Sequence, residues 1–423
     1  MTWTWRGYGG GETQDTLIEG FSPDLAKDAP TILDSTYGAA IITTPVKTGV
    51  GALRLTPGTA SGTKYAYTGI LTQFVSGRLI VVMGYVNLDV VPTAEFRLIA
   101  CWGNTNTDTY ALSCGTDGRV RIGIYPHVYF NTNEPTPLSP WSVNAVGVAA
   151  YKHLCWIIDP ITLGTKHVWH TVLIDSVVEI SFDAGQEPTY LYAGVYPNVQ
   201  FTDYVTYQGQ TATGCVVRLD DICAAYSTTA TDAPWKAQVP IGLVDAQHPA
   251  AAGTNALWSQ GPDSGNKYDK WDDATGNDGA TTYLYAGTTS QVQDSDGESL
   301  ATLGWAAGAV LLENGTGVGP VWSAIHGASG GTKWNASTKC SLAADRTVVS
   351  AGVPYTGMMR QLTRTGGGSW ARADIGTIEF GAQTGATDHD INWYITALML
   401  QWLYSEASLP LTPRPMIPQS SIF

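Results

Sequence analysis

The segment from Ile391 to Tyr404 alternates almost without a break. Ile391, Trp393, Ile395, Ala397, Met399 and Leu403 fall in one row; Asn392, Tyr394, Thr396, Leu398, Leu400, Trp402 and Tyr404 fall in the other. Side chains along a strand point to opposite faces with a period of two, so each row lines one face of a sheet. Both rows are largely apolar or aromatic. A strand covered on both sides belongs inside a layered sandwich or against a neighbouring subunit. With the stretch before it, Asp374 to Tyr404 reads as one strand, a turn and one long strand. The chain is thus read as a β-scaffold, and the question becomes what it attaches to.

Composition agrees with that reading. Of 423 residues, 14% are charged and 44% hydrophobic, with 15 Trp, 21 Tyr and 47 Gly. Aromatics suit pleated, half-buried surfaces and glycines suit tight turns. The length leads one to expect two or three domains. A net charge of -14 repels a polyanion, which disfavours nucleic acid as a partner. No stretch reaches the roughly 18 consecutive apolar residues of a membrane span. The opening MTWTWRGYGGGETQ has no basic cluster and no apolar core of a secretion signal, so a soluble protein made inside a cell is expected. Six cysteines (101, 114, 155, 215, 223 and 340) are too few and scattered for a disulfide framework. They read as small buried hydrophobes, with Cys101 facing Cys114 across a hairpin as the alternative.

The chain divides into an irregular N-terminal arm (1–19), a first sandwich (20–228), a linker (229–240), a second sandwich (241–405) and an extended, proline-rich tail (406–423). In the first unit Phe96 to Trp102 reads as a strand. Tyr110–Cys114 and Arg119–Ile124 form a hairpin around Asp117-Gly118, since Asp-Gly supplies the positive φ such turns need. Val172–Ile174 and Val177–Ile180 form another around Asp175-Ser176, and Val216 to Ile222 closes the unit. The second unit shows strands at Thr281–Ala286, Gly304–Glu313, Thr356–Thr363 and Ile375–Gly381. Helices of ordinary length are hard to find, the best short candidate being Asp15–Glu19. Two tandem antiparallel β-sandwiches, an all-β fold, is the economical reading.

Gly20-Phe21, Gly51 to Leu55, Gly77 to Val82, the Asp117-Gly118-Arg119 turn and the closing Leu219-Asp220-Asp221-Ile222 follow one another in an order that resembles the concanavalin A/laminin G type of jelly roll. Asp272-Asp273 with Gly279 to Leu284, and Ile375 to Gly381 before the final strand, resemble a β-sandwich module of tailed-bacteriophage virion proteins. The resemblance implies a capsid or tail component, assembled in the bacterial cytoplasm, with other virion proteins as partners. It also implies a homo-oligomer, a trimer being favoured, and no membrane insertion.

Jelly rolls of this type include laminarinase-like hydrolases, whose Glu-x-Asp-x-x-Glu strand sets the acids on one face, with retaining chemistry needing them ~5 Å apart. The nearest approach is Glu179-Ile180-Ser181-Phe182-Asp183, where Ser181 replaces the middle carboxylate. Solvent-face charges on an edge strand explain it better, and no enzyme is expected. Jelly-roll lectins stack sugars on loop aromatics, which makes Tyr125, His127, Tyr129 and Trp141 candidate glycan residues; packing against the next subunit or domain is the alternative.

Metal chemistry has a narrower base. Asp294, Asp296 and Glu298 place oxygens on alternate residues around Gly297, as calcium loops do, though the rest of a twelve-residue loop is missing. Calcium is the one cofactor the residues suggest. His167 and His170, three apart, would point to opposite faces of a strand and share no metal. Trp402 and Tyr404, with Ile422 and Phe423 of the tail, are candidate subunit contacts. The expectation is therefore a non-enzymatic virion protein that mediates assembly and attaches to host glycans, with a lectin and then a glycoside hydrolase as alternatives.

Overall fold

The computed structural model describes residues 3–9, 39–49, 51–55, 65–71, 79–101, 109–125, 136–159, 169–183, 204–210, 215–227, 239–261, 265–270, 283–286, 288, 291–312, 321–326, 330–334, 340–341, 344–348, 356–361, 363–364, 370–383, 393–406 and 408–409. Among them the fold is all-β, the only α-helices being the four-residue turns Leu300–Leu303 and Arg372–Ile375.

In the first sandwich a nine-stranded sheet faces a six-stranded one. The nine-stranded sheet runs Val177–Asp183, Trp169–Ile174, Lys152–Asp159, Ile80–Val90, Val216–Ser227, Ala52–Leu55, Ala39–Ile42, with Trp3–Gly9 and Gly147–Val148 pairing alongside. The six-stranded sheet runs Tyr65–Leu71, Tyr204–Gln210, Phe96–Cys101, Thr109–Cys114, Val120–Tyr125, Thr136–Pro137. Between them lies a core that includes Leu53, Val82, Phe96, Leu112, Ile122, Trp156 and Leu219. Both expected hairpins are present. Gly118 has φ 77°, while Asp175 and Ser176 have φ 48° and 67°, the two consecutive positive values of a primed turn.

In the second sandwich the long strand Trp393–Ser405 organises a seven-stranded sheet. It pairs with Leu243–Gln247, Tyr283–Ala286, Val310–Leu311 and Val321–His326. A three-stranded sheet of Pro249–Ala256, Val292–Gly297 and Glu379–Gln383 accompanies it. Their core contains Trp258, Leu284, Trp305, Trp370, Phe380, Leu400 and Trp402.

A third core joins the two sandwiches. Along Leu79 to Met83, Ile80 and Val82 point into the first sandwich, while Leu79, Val81 and Met83 point out of it. The same division separates Trp156 from Cys155 and Ile157, and Ala224 from Cys223 and Ala225. These outward residues meet Val244, Leu312 and Leu403 of the second sandwich. Gly242 runs so close that a Cβ there would lie 2.5 Å from Cys223 Sγ, and its N–H donates to Met83 Sδ at 3.5 Å. Period two explains the result: a strand apolar in both rows must be covered on both faces.

Several expectations need correction. The N-terminal arm is not irregular throughout, because Trp3–Gly9 forms a strand antiparallel to residues 222–227. Trp3 and Trp5, two apart, are buried in the third core, and their burial prevails over the glycine-rich composition. Gly304 does not open a strand: it is the left-handed cap (φ 69°) of Leu300–Leu303, and only Val310–Leu311 pairs. Ile375 closes a helical turn, and the strand expected from there begins at Glu379. Ser408–Leu409 of the tail bridges to Val239–Pro240 at the end of the linker.

The proposed subunit contacts at Trp402 and Tyr404 are inside the second sandwich's own core. Trp402 Nε1 donates to Gln247 Oε1 at 3.0 Å, and Tyr404 stacks on Trp305 with centroids 4.0 Å apart. Across the strand, Met399 and Leu403 are also buried, Leu403 in the third core. Both faces are thus covered by this chain at this end of the strand. Ile422, Phe423 and the short helix at Asp15–Glu19 lie outside the described residues.

Candidate functional site

The outer face of the six-stranded sheet carries an unusual row. Core residues Tyr110 and Leu112 alternate with Ala111, and Ile122 with Gly123, so Ala111 and Gly123 belong to the face turned away from the core. The register then joins Gly69 to Thr206, Thr206 to Ala100, Ala100 to Ala111, Ala111 to Gly123 and Gly123 to Pro137. Small residues therefore cross all six strands in one line. Two residues along on one side come the paired positions Tyr67 and Gln208, and Ser113 and Arg121. On the other come Tyr204 and Leu71, and Thr109 and Tyr125. On this face Ala111 and Ser113 have no exposure.

At one end of this row the side-chain contacts centre on Arg121. Arg121 Nε donates to Glu95 Oε1 at 2.9 Å, with a second contact to Glu95 Oε2. The Arg121 guanidinium lies 4.4 Å from the centroid of the Trp141 ring, a cation–π arrangement. The far edge of that indole rests on Gly115, where a Cβ would meet it at 3.0 Å. Tyr125 ends the neighbouring strand, while His127 and Tyr129 lie outside the described residues. Of the four candidate glycan residues, Trp141 thus packs on Arg121 of this face, and Tyr125 is placed by the register of its strand opposite Thr109.

The carboxylates singled out for other chemistry prove to be fasteners. Asp294 and Asp296 lie in the strand Val292–Gly297, not in a turn, which corrects the calcium-loop reading. Asp294 is buried, and Asn255 donates to it from N at 2.7 Å and from Nδ2 at 2.6 Å. Burial pushes its pKa up. Glu298 accepts from His248 N at 3.0 Å. Among the described residues no group of three or more His, Cys, Asp or Glu is placed to hold a metal.

Glu179 Oε2 accepts from Val143 N and Asn144 N at 2.8 and 3.0 Å, and Oε1 from Asn144 Nδ2 at 2.6 Å. It ties a loop to the edge of the sheet. Ser181 Oγ accepts from Trp169 Nε1 at 3.0 Å. His170 is a core ring, receiving Trp156 Nε1 at 3.3 Å and stacked against Phe182; burial pushes its pKa down to about 3. Cys114 is a free buried thiol, and Cys101 pairs in register with Tyr110, so the hairpin does not join the two cysteines.

Along the sequence Asp220-Asp221 reads only as part of a strand, yet these two carboxylates hold three elements together. Both are fully buried, at a bulge where the register jumps from Asp220 to Cys223 and Asp221 takes φ 47°. Asp220 Oδ2 accepts from Lys47 N and Thr48 N at 2.7 and 3.3 Å. Asp221 meets Thr48 Oγ1 at 2.7 Å and accepts from Val244 N of the second sandwich at 2.6 Å. Burial, and for Asp220 the adjacent Asp221, raise both pKa values, that of Asp221 to about 7. The available signal was an adjacent pair of acids inside the apolar run Val216 to Ile222, where charge is rarely buried without partners.

No family model and no curated protein matches the chain. Among solved structures, an endo-β-1,4-glucuronan lyase from the fungus Trichoderma reesei superposes with a TM-score of 0.34 at 10% identity, over 54% of this chain and 98% of that one. Alginate lyase Aly36B gives 0.30 at 10% identity, over 52% and 97%. A heptameric SAP-like pentraxin from Limulus polyphemus gives 0.28 at 10%, over 40% and 74%. At such scores these likenesses say nothing about ligand or reaction in this chain.

Proposed function

We propose that the chain is a non-enzymatic attachment protein, a structural component of a tailed-phage virion displayed on capsid or tail. The observation that supports this reading is the third core. Two sandwiches joined through Val81, Met83, Cys155, Cys223, Val244 and Leu403 form a block with an apolar seam. A small, polar interface would leave the domains free to move, whereas an apolar one resists relative motion. Such a block suits a part that must hold position and present a surface. The carboxylates nearest to a catalytic pattern are engaged in holding loops and strands, which supports the non-enzymatic side of the reading. The test is to purify particles from the producing cells and locate this chain. A stoichiometric, symmetric position is expected, with a trimer in solution; particles that lack the chain reject the proposal.

The row of small residues favours a second reading, recognition of an extended carbohydrate chain across the six-stranded sheet. Repeated copies on a particle would multiply weak contacts at each such row. A glycan array probed with the wild type, Trp141→Ala and Tyr129→Ala decides it: binding lost in either variant supports this reading, and binding unchanged in both rejects it. Release of reducing sugar from a bound polysaccharide, lost in Glu179→Gln, would instead favour a hydrolase.

A further inference from the structure

We propose that Asp220 and Asp221 hold a single proton, carried by Asp221 on the oxygen facing Thr48, and that this proton latches loop 43–49 and the second sandwich onto the nine-stranded sheet.

The hydrogen-bond partners assign the proton. Asp220 faces three amide donors: Lys47 N and Thr48 N on Oδ2, and Asp221 N on Oδ1 at 2.9 Å. An amide N–H only donates, so a hydrogen on Asp220 would find no acceptor among these partners and be left a buried unsatisfied donor. Burial raises Asp220 as well, so it is the partners and not the burial that put the proton on Asp221. Asp221 Oδ1 is fixed in the same way by Val244 N. Asp221 Oδ2 meets a hydroxyl, Thr48 Oγ1, which donates or accepts as required. It is the one oxygen of the four whose partner tolerates a proton.

The surroundings make that proton necessary. Two adjacent anions with no exposure to water would repel each other. Loop 43–49 supplies Lys47, which is exposed and stands over the Tyr85 ring at 5.0 Å. The strand Ile80–Val90 supplies Tyr85 itself and Asp89; Asp89 is paired with Arg218 at 2.6 Å, so that guanidinium is already engaged. Tyr151 donates to Pro45 O of the same loop at 3.0 Å. Asp175 approaches from its hairpin, and Asp245 and Glu406 from the second sandwich, all three adding negative potential to Tyr85 or Asp221. Cys223, on the pair's own strand, is a buried neutral thiol. Acids outnumber cations around the pair, which keeps the proton in place at neutral pH. Burial raises both carboxyls, so the folded chain holds a proton that the unfolded chain releases. The latch is then complete below the ordinary value of 3.8, is lost as pH rises from there through about 7 for Asp221, and changes no further above that.

The test follows trypsin cleavage after Lys47 in the full chain, with thermal unfolding in parallel, from about pH 5 to about pH 8. Asp221→Asn keeps an oxygen for Val244 N and offers an N–H to Thr48, which fixes the protonated arrangement. Asp220→Asn sets an NH2 group among N–H donors. In the wild type, cleavage at Lys47 relative to Asp221→Asn at the same pH should rise by up to ~tenfold per pH unit up to about pH 7 and level off above it. Asp221→Asn should stay protected, with a flat unfolding profile. Parallel opening of wild type and Asp221→Asn overturns the proposal. So does a flat profile in Asp220→Asn alone, which would put the proton on the other residue. If the variants do not fold, the wild-type infrared spectrum decides: a protonated-carboxyl band at neutral pH that fades on the alkaline side supports the latch, and no such band refutes it.

Discussion

The two sheets of the first sandwich are built from similar strands and use their outer faces in opposite ways. In the nine-stranded sheet the residues that alternate with the core are Leu79, Val81, Met83, Cys155, Ile157, Leu173, Cys223 and Ala225. In the six-stranded sheet they are Ala111, Ser113, Arg121 and Gly123. The first set can satisfy itself only by meeting another apolar layer, and it meets the second sandwich. The second set is small and polar, with Arg121 partly exposed and Ala111 and Ser113 buried. The lesson lies in the second row of each strand: the first row makes the sandwich, and the second decides whether the other face can join another apolar layer.

The largest expected effect tests whether the seam is a true core. Trp5→Ala removes an indole that is 3% exposed and should cost about 3–5 kcal/mol in denaturant unfolding. A cost below about 1 kcal/mol would mean that the N-terminal strand is merely laid on the surface. Acid comes next. Burial holds the His170 pKa down to about 3 and that of His153 to about 4. A group whose folded value is depressed adds stability above its unfolded value, near 6.5, and that stability is lost as pH falls. His170 alone should cost about 3 kcal/mol between pH 6.5 and pH 4. Calorimetry over that range should show the loss, and His170→Phe should reduce it, because this ring packs among Tyr110, Trp156 and Phe182 inside the first sandwich. Gly242→Ala follows, at about 1–3 kcal/mol, since its new methyl would collide with Cys223. Unfolding should then separate into two steps where the wild type shows one.

Much of this arrangement was legible in the residues. The alternation from Trp393 to Ser405, the Asp117-Gly118 turn and the Asp175-Ser176 turn are local signals, set by the period of the strand and by backbone angles. Trp3 and Trp5 carried the same period-two signal, but a few residues beside a glycine run are too few to set against composition. Trp402 and Tyr404 plainly needed cover; what sequence could not supply was the identity of the cover, because Gln247, Trp305 and Trp370 come from distant segments. The acids were harder still. Asp294 and Glu298 look like ligands when read along the chain, and only the neighbouring strand reveals Asn255 and His248 as their partners. The row across the six-stranded sheet is similar in kind, since its members come from six separate strands and no single stretch of chain displays it.

The smallest expected effect bears on the outer face of the six-stranded sheet. Arg121 lies on the outer face, its side chain 20% exposed, paired with Glu95 and beneath Trp141. Arg121→Ala should cost only about 1 kcal/mol, the scale of a partly exposed ion pair and a cation–π contact. Glu95 would lose its partner but remain near water, so no buried charge is stranded. If the two outer faces differ as described, this change barely moves the unfolding midpoint, whereas Trp5→Ala moves it far. A loss of several kcal/mol from Arg121→Ala would show that folding depends on the outer face of the six-stranded sheet as heavily as on the seam, and the contrast between the two sheets would disappear.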